Sequence, residues 1–219
     1  MGGTTALRYL NSLIDRFAFR HPGFGIPNLM RFVTAGQAVV YLLYMFSNAG
    51  AISFLSFDLP HLLHGEVWRL ITFVFVPDTF RPFSFLLMLS FYYFAGTTLE
   101  REWGTAKFSL YYFSGMALSV LGTVLAALIT GYYGLTLSSA YYLNLTLFLA
   151  FAALYPDVGI LYMMIIPLKA KWLAAADVLL IGWGILRSLA AHSVIGVVIP
   201  LVSLLNVLIF FWPEITGML

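Results

Sequence analysis

Long apolar runs, separated by short charged stretches, dominate the pattern of this sequence. About 20 apolar residues in a helix cross the roughly 30 Å hydrocarbon core of a bilayer, and each backbone amide then bonds within its own segment. The runs therefore predict transmembrane helices rather than strands. We interpret six of them as spans, at residues 31–50, 82–98, 107–131, 139–156, 172–190 and 194–212.

The charged stretches between these runs predict the domain organisation. We expect a cytoplasmic N-terminal segment at 1–30, a single membrane domain at 31–212 and a short C-terminal end at 213–219. The loop at 50–81 is the longest connection, and it mixes apolar and charged residues. That mixture is typical of a segment that lies partly in the membrane interface.

Composition supports an integral membrane protein and excludes several functions. Hydrophobic residues make up 62% of the chain, charged residues 9%, and the mean hydropathy is +0.94. A net charge of +2 is too small to indicate nucleic-acid binding. The chain has no cysteine, so it can form neither a disulfide nor a thiolate nucleophile. No motif indicates a metal or a cofactor, and we expect neither.

The distribution of basic residues predicts the orientation, because cytoplasmic loops carry an excess of Lys and Arg. Eight of the 11 basic residues fall on one side of the predicted spans. They are Arg8, Arg16, Arg20, Arg31, Arg101, Lys107, Lys169 and Lys171, against Arg69, Arg81 and Arg187 on the other side. Both termini are therefore expected in the cytoplasm.

Three motifs in order carry a resemblance to a known family. The first is Trp68-Arg69-Leu70-Ile71-Thr72 in the long loop, and the second is the glycine, acidic and aromatic pattern of Gly96, Glu100, Trp103 and Gly104. The third runs from Ile166 to Trp172, after Tyr155-Pro156. Over roughly residues 25–212 the chain resembles the rhomboid superfamily. The resemblance implies an all-α, six-transmembrane-helix bundle with a long, partly membrane-embedded first loop.

An active rhomboid needs a serine nucleophile on the fourth helix, a histidine base on the sixth, and oxyanion donors on the second. Counting from Gly96, the family spacing places Met88 at the oxyanion asparagine and Ser84 at its neighbouring histidine. Counting from Tyr155-Pro156 places Tyr141 at the nucleophile. An alternative register keeps a serine there, Ser138, but it loses both flanking glycines.

The histidine position is also altered. His192 lies in a motif that resembles the family's Ala-His-x-x-Gly with one extra residue before the glycine. Three further polar residues fall inside predicted spans: Asp177, Asn144 and Asn206. The two asparagines serve helix packing or a solute path, and Asp177 either has a function or pairs with Lys169 or Lys171.

These observations favour a catalytically inactive rhomboid-like protein, a pseudoprotease in the sense of the derlins. The resemblance implies that it binds transmembrane segments of client proteins, in quality control or regulation of membrane proteins. The alternatives are a divergent intramembrane serine protease that uses Ser138 and His192, or a small-solute transporter. We expect the protein in a prokaryotic plasma membrane, with both termini in the cytoplasm and the lipid bilayer as its surroundings. The sequence does not indicate the oligomeric state.

Overall fold

The computed structural model describes residues 2–47, 50–137, 139–162 and 166–217, and these are mainly helical. In chain order the α-helices and strands are α1 (Gly2–Arg20), α2 (Leu29–Ser47), α3 (Gly50–Leu55), β1 (Phe57–Asp58), α4 (Leu59–Leu63), α5 (Arg69–Thr72), α6 (Pro82–Thr130), β2 (Thr136–Leu137), α7 (Tyr141–Leu154), β3 (Gly159–Tyr162), β4 (Ile166–Lys169), α8 (Ala170–Ala190) and α9 (Ile195–Gly217). A short 3₁₀ turn, Phe73–Phe75, lies between α5 and α6.

Three helices of the described chain, α2, α6 and α8, are long and apolar enough to cross a membrane. Two others, α7 and the part of α9 at Ile195–Phe211, are apolar but shorter. The described chain is therefore mainly helical, which is consistent with the expected all-α integral membrane protein. The count of six spans stays a prediction.

The second and third predicted spans form one helix, α6, with a break at Gly104. Gly104 has φ 77° and ψ 160°, a conformation that glycine adopts without the steric cost of a Cβ. Helical structure thus covers nearly all of the charged stretch that the sequence pattern placed in a loop. The parts before and after the break are each long enough for a membrane-crossing helix.

The core lies where α6 after its break, α7 and α9 pack together. Ten consecutive residues of α7, from Leu143 to Ala152, are buried, so this helix is enclosed by its neighbours. Gly115 allows the close approach, because a Cβ there would overlap the Leu143 side chain. On the outside, α2 packs on the first part of α6, and α8 packs on α7 and α9.

Two features of the connections were not predicted from the sequence. The segment at 1–30 contains α1, whose Asn11 Nδ2 donates to the Phe210 carbonyl at 3.2 Å and whose Asp15 pairs with Lys107 at 2.7 Å. Outside the predicted spans, β1 pairs antiparallel with β2 and β3 with β4. These strands lie in the connections between helices, and their backbone N–H and C=O groups bond to the paired strand because no helix is there to satisfy them.

Candidate functional site

A cavity of about 530 Å³ lies between the first part of α6, α7 and α8, and it is open on one side. Its lining is mainly apolar and aromatic. The lining residues are Phe83, Ser84, Leu87, Met88, Phe91, Tyr92, Tyr141, Asn144, Leu145, Phe148, Ile160, Leu173 and Asp177. A concave, largely apolar site with a few polar groups is the usual form of a binding site.

Helix α6 contributes one continuous face to this cavity. Ser84, Met88 and Tyr92 follow each other at intervals of four residues, so they lie one above the other on the same side of the helix. Met88 offers a thioether, which accepts a hydrogen bond weakly and donates none. No side chain of Asn or His lies on this stretch of α6.

Helix α7 contributes the opposite wall, beginning with Tyr141 at its first residue. Tyr141 is half-exposed, and its ring meets that of Tyr142 edge-on at a centroid distance of 5.2 Å. The structure thus brings together Ser84, Met88 and Tyr141, the three positions that the rhomboid resemblance assigns to the oxyanion donors and the nucleophile. None of the three side chains supplies the group expected at its position.

A buried polar cluster supports the wall of the cavity from behind. Asn144 Nδ2 donates to Asp78 Oδ2 at 2.8 Å, and the Tyr92 hydroxyl donates to the same oxygen at 3.3 Å. Burial raises the pKa of Asp78 above its ordinary value, while hydrogen bonds from Asn144, Ser139 and Tyr92 lower it less strongly. Sequence reasoning did not single out Asp78, because its partner Asn144 is 66 residues away and no local pattern connects them.

Asp177 lies on α8 and lines the cavity. Of the two alternatives for Asp177, pairing with Lys169 or Lys171 is not observed, because both lysines contact Asp157 Oδ1, at 3.0 and 2.8 Å. Lys171 and Lys169 together lower the pKa of that exposed carboxyl. Asp157 is nearer in the fold because it ends the turn after α7, where the hairpin of β3 and β4 returns the chain.

The Ser-His pair of the protease alternative receives no support from the cavity. His192 is exposed in the turn between α8 and α9, with a left-handed φ of 53°, and it is not among the residues that line the cavity. Ser138 lies outside the described residues. A catalytic role for this pair stays a prediction.

The first-loop motif, Trp68 and Arg69, holds the loop together. Arg69 is only 4% exposed, and its guanidinium donates to Glu66 Oε2 at 2.6 Å and to the carbonyls of Ser53 and Ser56 at 2.6 and 2.7 Å. Trp68 stacks on Phe54 at a centroid distance of 5.2 Å. The guanidinium therefore bonds two carbonyls of the loop and fixes its path.

The motif around the break in α6 joins α2 to the core. Glu100 Oε1 accepts from the backbone N of Asn28 at 2.8 Å, just before α2, and from Thr105 Oγ1 at 3.0 Å. Gly96 faces Met30 of α2 so closely that a Cβ would overlap it. Trp103 packs on Phe211 of α9 at a centroid distance of 5.1 Å. Both this motif and the first-loop motif act on the fold rather than on the cavity.

Asn206 bridges helices in the core, away from the cavity. Its Nδ2 donates to the Tyr111 carbonyl at 2.9 Å, and its Oδ1 accepts from Ser114 Oγ at 2.7 Å. These bonds join α9 to α6 and satisfy the amide within the bundle. Packing accounts for Asn206 without a solute path.

A comparison with family models matches residues 31–211 to a family described as "Eukaryotic integral membrane protein (DUF1751)". No curated protein and no solved structure matches the chain. The match agrees with the predicted integral membrane protein. It also shows that the predicted location in a prokaryotic plasma membrane is wrong, because this family is eukaryotic.

Proposed function

Because the chain belongs to the DUF1751 family of eukaryotic integral membrane proteins, we propose that it binds single transmembrane segments of other proteins without cleaving them. The binding site is the cavity between α6, α7 and α8. In this proposal the protein is a rhomboid-like pseudoprotease of a eukaryotic membrane, and its clients are membrane proteins under quality control or regulation.

The observation that carries the proposal is the lining of this cavity. Met88 and Tyr141 stand where a rhomboid protease needs an oxyanion donor and a nucleophile, and both face the same space. Loss of one oxyanion donor typically lowers the rate of acyl transfer by about 10²–10³. Tyr141 adds a bulky phenol where the family uses flanking glycines to bring backbone amides close. In this proposal the concave apolar shape serves binding, because Met88 and Tyr141 do not supply the groups that cleavage needs at their positions.

The size and surroundings of the cavity suit one helix of a client. With a pitch of 5.4 Å and a diameter of 10–12 Å, one turn of helix occupies roughly 400–600 Å³, comparable to the cavity of about 530 Å³. Helix α8 presents apolar side chains outward along its length, among them Leu179, Leu180 and Trp183. A segment that diffuses in the lipid therefore meets an apolar rim on one side of the opening.

The remaining parts of the proposal are the topology and the number of spans. The two parts of α6 on either side of Gly104, together with α2, α7, α8 and α9, make up six spans. Charge distribution favours cytoplasmic termini, as does the cluster of Asp157 with Lys169 and Lys171 at the start of α8. The first loop, closed by Arg69, then lies at the opposite side of the membrane.

Photo-cross-linking tests the site. A photoreactive residue replaces Leu173, which lines the cavity, or Leu179, which is exposed on another face of the same helix. The protein is reconstituted in liposomes with a labelled polyleucine segment of a single span. We expect cross-linking at least several-fold stronger from position 173 than from 179. Equal yields from the two positions would show that the segment meets the protein by non-specific collision in the bilayer, and would contradict the proposed site.

A fluorophosphonate probe tests the absence of serine chemistry. The wild-type protein and the variants Ser138→Ala and His192→Ala are exposed to the probe beside an active rhomboid protease. We expect labelling of the control protease alone. Labelling of the wild type that both substitutions abolish would establish an activated serine and contradict the proposal.

A further inference from the structure

We propose that the cavity selects client segments that carry a lysine or arginine within the membrane, with Asp177 as its counter-charge. The inference rests on the proposed function, because it names the class of segment that the same site binds. Three observations carry it: an unpaired carboxylate, an acceptor without a donor, and an aromatic wall.

Asp177 is the unpaired carboxylate. It lies seven residues after Ala170, about 10 Å along the axis of α8, and so within the hydrocarbon region if Lys171 marks the membrane surface. Within the described part of the chain, no Lys, Arg or His nitrogen lies within 4.0 Å of it. Ionisable residues in membrane helices are costly and are usually paired or functional. Here the neighbouring lysines are already bound to Asp157.

Asn144 supplies the acceptor without a donor. Its side chain lines the cavity and is only 1% exposed, yet Oδ1 has no hydrogen-bond donor among the described residues. The Nδ2 of the same amide is engaged by Asp78. Native buried polar atoms are nearly always paired, and a donor on a client segment in the cavity would pair this acceptor.

The aromatic wall completes a site for a cation. Phe91, Tyr92, Tyr141 and Phe148 line the cavity, and the negative faces of aromatic rings attract ammonium and guanidinium groups. Asp177 is the single charged residue among the lining residues that the structure describes. Lysine has three donors and arginine five, and neither has an acceptor, which matches a wall that offers acceptors.

The same charges disfavour the other occupants. An anionic lipid headgroup or an acidic client residue would meet Asp177 with Asp78 behind it, and like charges in a low dielectric repel strongly. A fully apolar client segment can occupy the cavity but leaves both Asp177 and Asn144 Oδ1 unpaired. A basic residue in the client therefore adds affinity instead of merely being tolerated.

The test uses the full-length protein in liposomes of zwitterionic lipid. Three polyleucine segments differ at one position, about 10 Å from the cytoplasmic end, where they carry Lys, Met or Glu. Energy transfer between labelled protein and labelled segment gives each apparent dissociation constant. Polar contacts between membrane helices have measured strengths that correspond to about 3- to 20-fold in affinity. We expect the Lys segment to bind tighter than the Met segment by that factor, and the Glu segment weakest.

Two variants locate the effect. Asp177→Asn is expected to abolish the preference for the Lys segment over the Met segment, and thermal unfolding of the variant shows whether it is folded. Asp157→Asn removes a carboxylate outside the cavity and is expected to keep the preference. Equal affinity of the wild type for Lys and Met segments, or a preference that survives Asp177→Asn, overturns the inference alone. Failure of all three segments to bind saturably overturns the proposed function with it.

Discussion

Replacing Arg69 with alanine is expected to destabilise the first loop more than any other single loss of charge in it. The guanidinium makes three charge-assisted hydrogen bonds of 2.6–2.7 Å, to Glu66 and to the carbonyls of Ser53 and Ser56. Such bonds contribute about 1.5–3 kcal/mol each, but their losses do not add, and removing one partner of a buried ion pair costs about 3–5 kcal/mol.

That loss can be measured as a change in Tm. For chains of about 200 residues, 1 kcal/mol corresponds to about 2–4 °C, so Arg69→Ala is expected to lower Tm by about 6–20 °C. Tryptophan fluorescence during heating of the detergent-solubilised protein reports the transition. Arg69→Lys keeps the charge but lacks the planar fork that reaches both carbonyls, so we expect an intermediate Tm.

Arg81→Ala is the matched control, because Arg81 lies in the same connection and its side chain is exposed. Its expected effect is within about 0.5 kcal/mol. The reasoning fails if Arg69→Ala melts within 2 °C of the wild type, or if Arg81→Ala loses as much stability as Arg69→Ala.

Three further predictions concern the break in α6, the contact of α6 with α2, and pH. Gly104→Ala puts a Cβ on a residue with φ 77° and ψ 160°, and is expected to cost about 1–3 kcal/mol by thermal unfolding; no loss would mean that the break tolerates any residue. Gly96→Val overlaps Met30, so Met30→Ala in the double variant is expected to restore part of the lost Tm, whereas additive losses would refute the contact. Burial raises the pKa of Asp78 above its ordinary 3.8, so the folded chain binds this proton more tightly than the unfolded chain. Its contribution therefore favours folding at low pH and is lost as pH rises through the raised pKa. Loss of this contribution lowers Tm between pH 4 and pH 7, and Asp78→Asn should remove that part of the decrease. Asp157→Asn should act in the opposite sense, because the pKa of Asp157 is lowered and its contribution is lost as pH falls.

Periodicity and apolar length predicted the parts of the fold that depend on local sequence. Helix α8 begins and ends within two residues of the predicted span 172–190, and α2 begins within two residues of 31. What local pattern could not supply are contacts between distant residues. Helix α1 contacts α9 through Asn11 and Phe210, which are 199 residues apart. The sequence near α1 therefore does not indicate which helix it packs against.

The candidate site was predictable only in part, for the same reason. Motif spacing placed Met88 and Tyr141 at equivalent positions of a protease site, and the structure brings both to one cavity. The carboxylates were harder to interpret. One of the two interpretations of Asp177 paired it with a lysine six or eight residues away on the chain, but the hairpin of β3 and β4 brings both lysines to Asp157 instead. Asp78 enters the site through a loop, and its role depends on Asn144 across the fold.

The central claim is that the cavity between α6, α7 and α8 binds a single transmembrane segment, and blocking the cavity tests it most directly. Ser84→Trp fills the space from the α6 side, and Leu179→Trp adds the same side chain on a face of α8 that points away from the cavity. Energy transfer to a labelled single-span segment in liposomes is titrated for both variants and the wild type. We predict saturable binding that Ser84→Trp abolishes and Leu179→Trp preserves. Equal saturable binding by Ser84→Trp and the wild type would contradict the account.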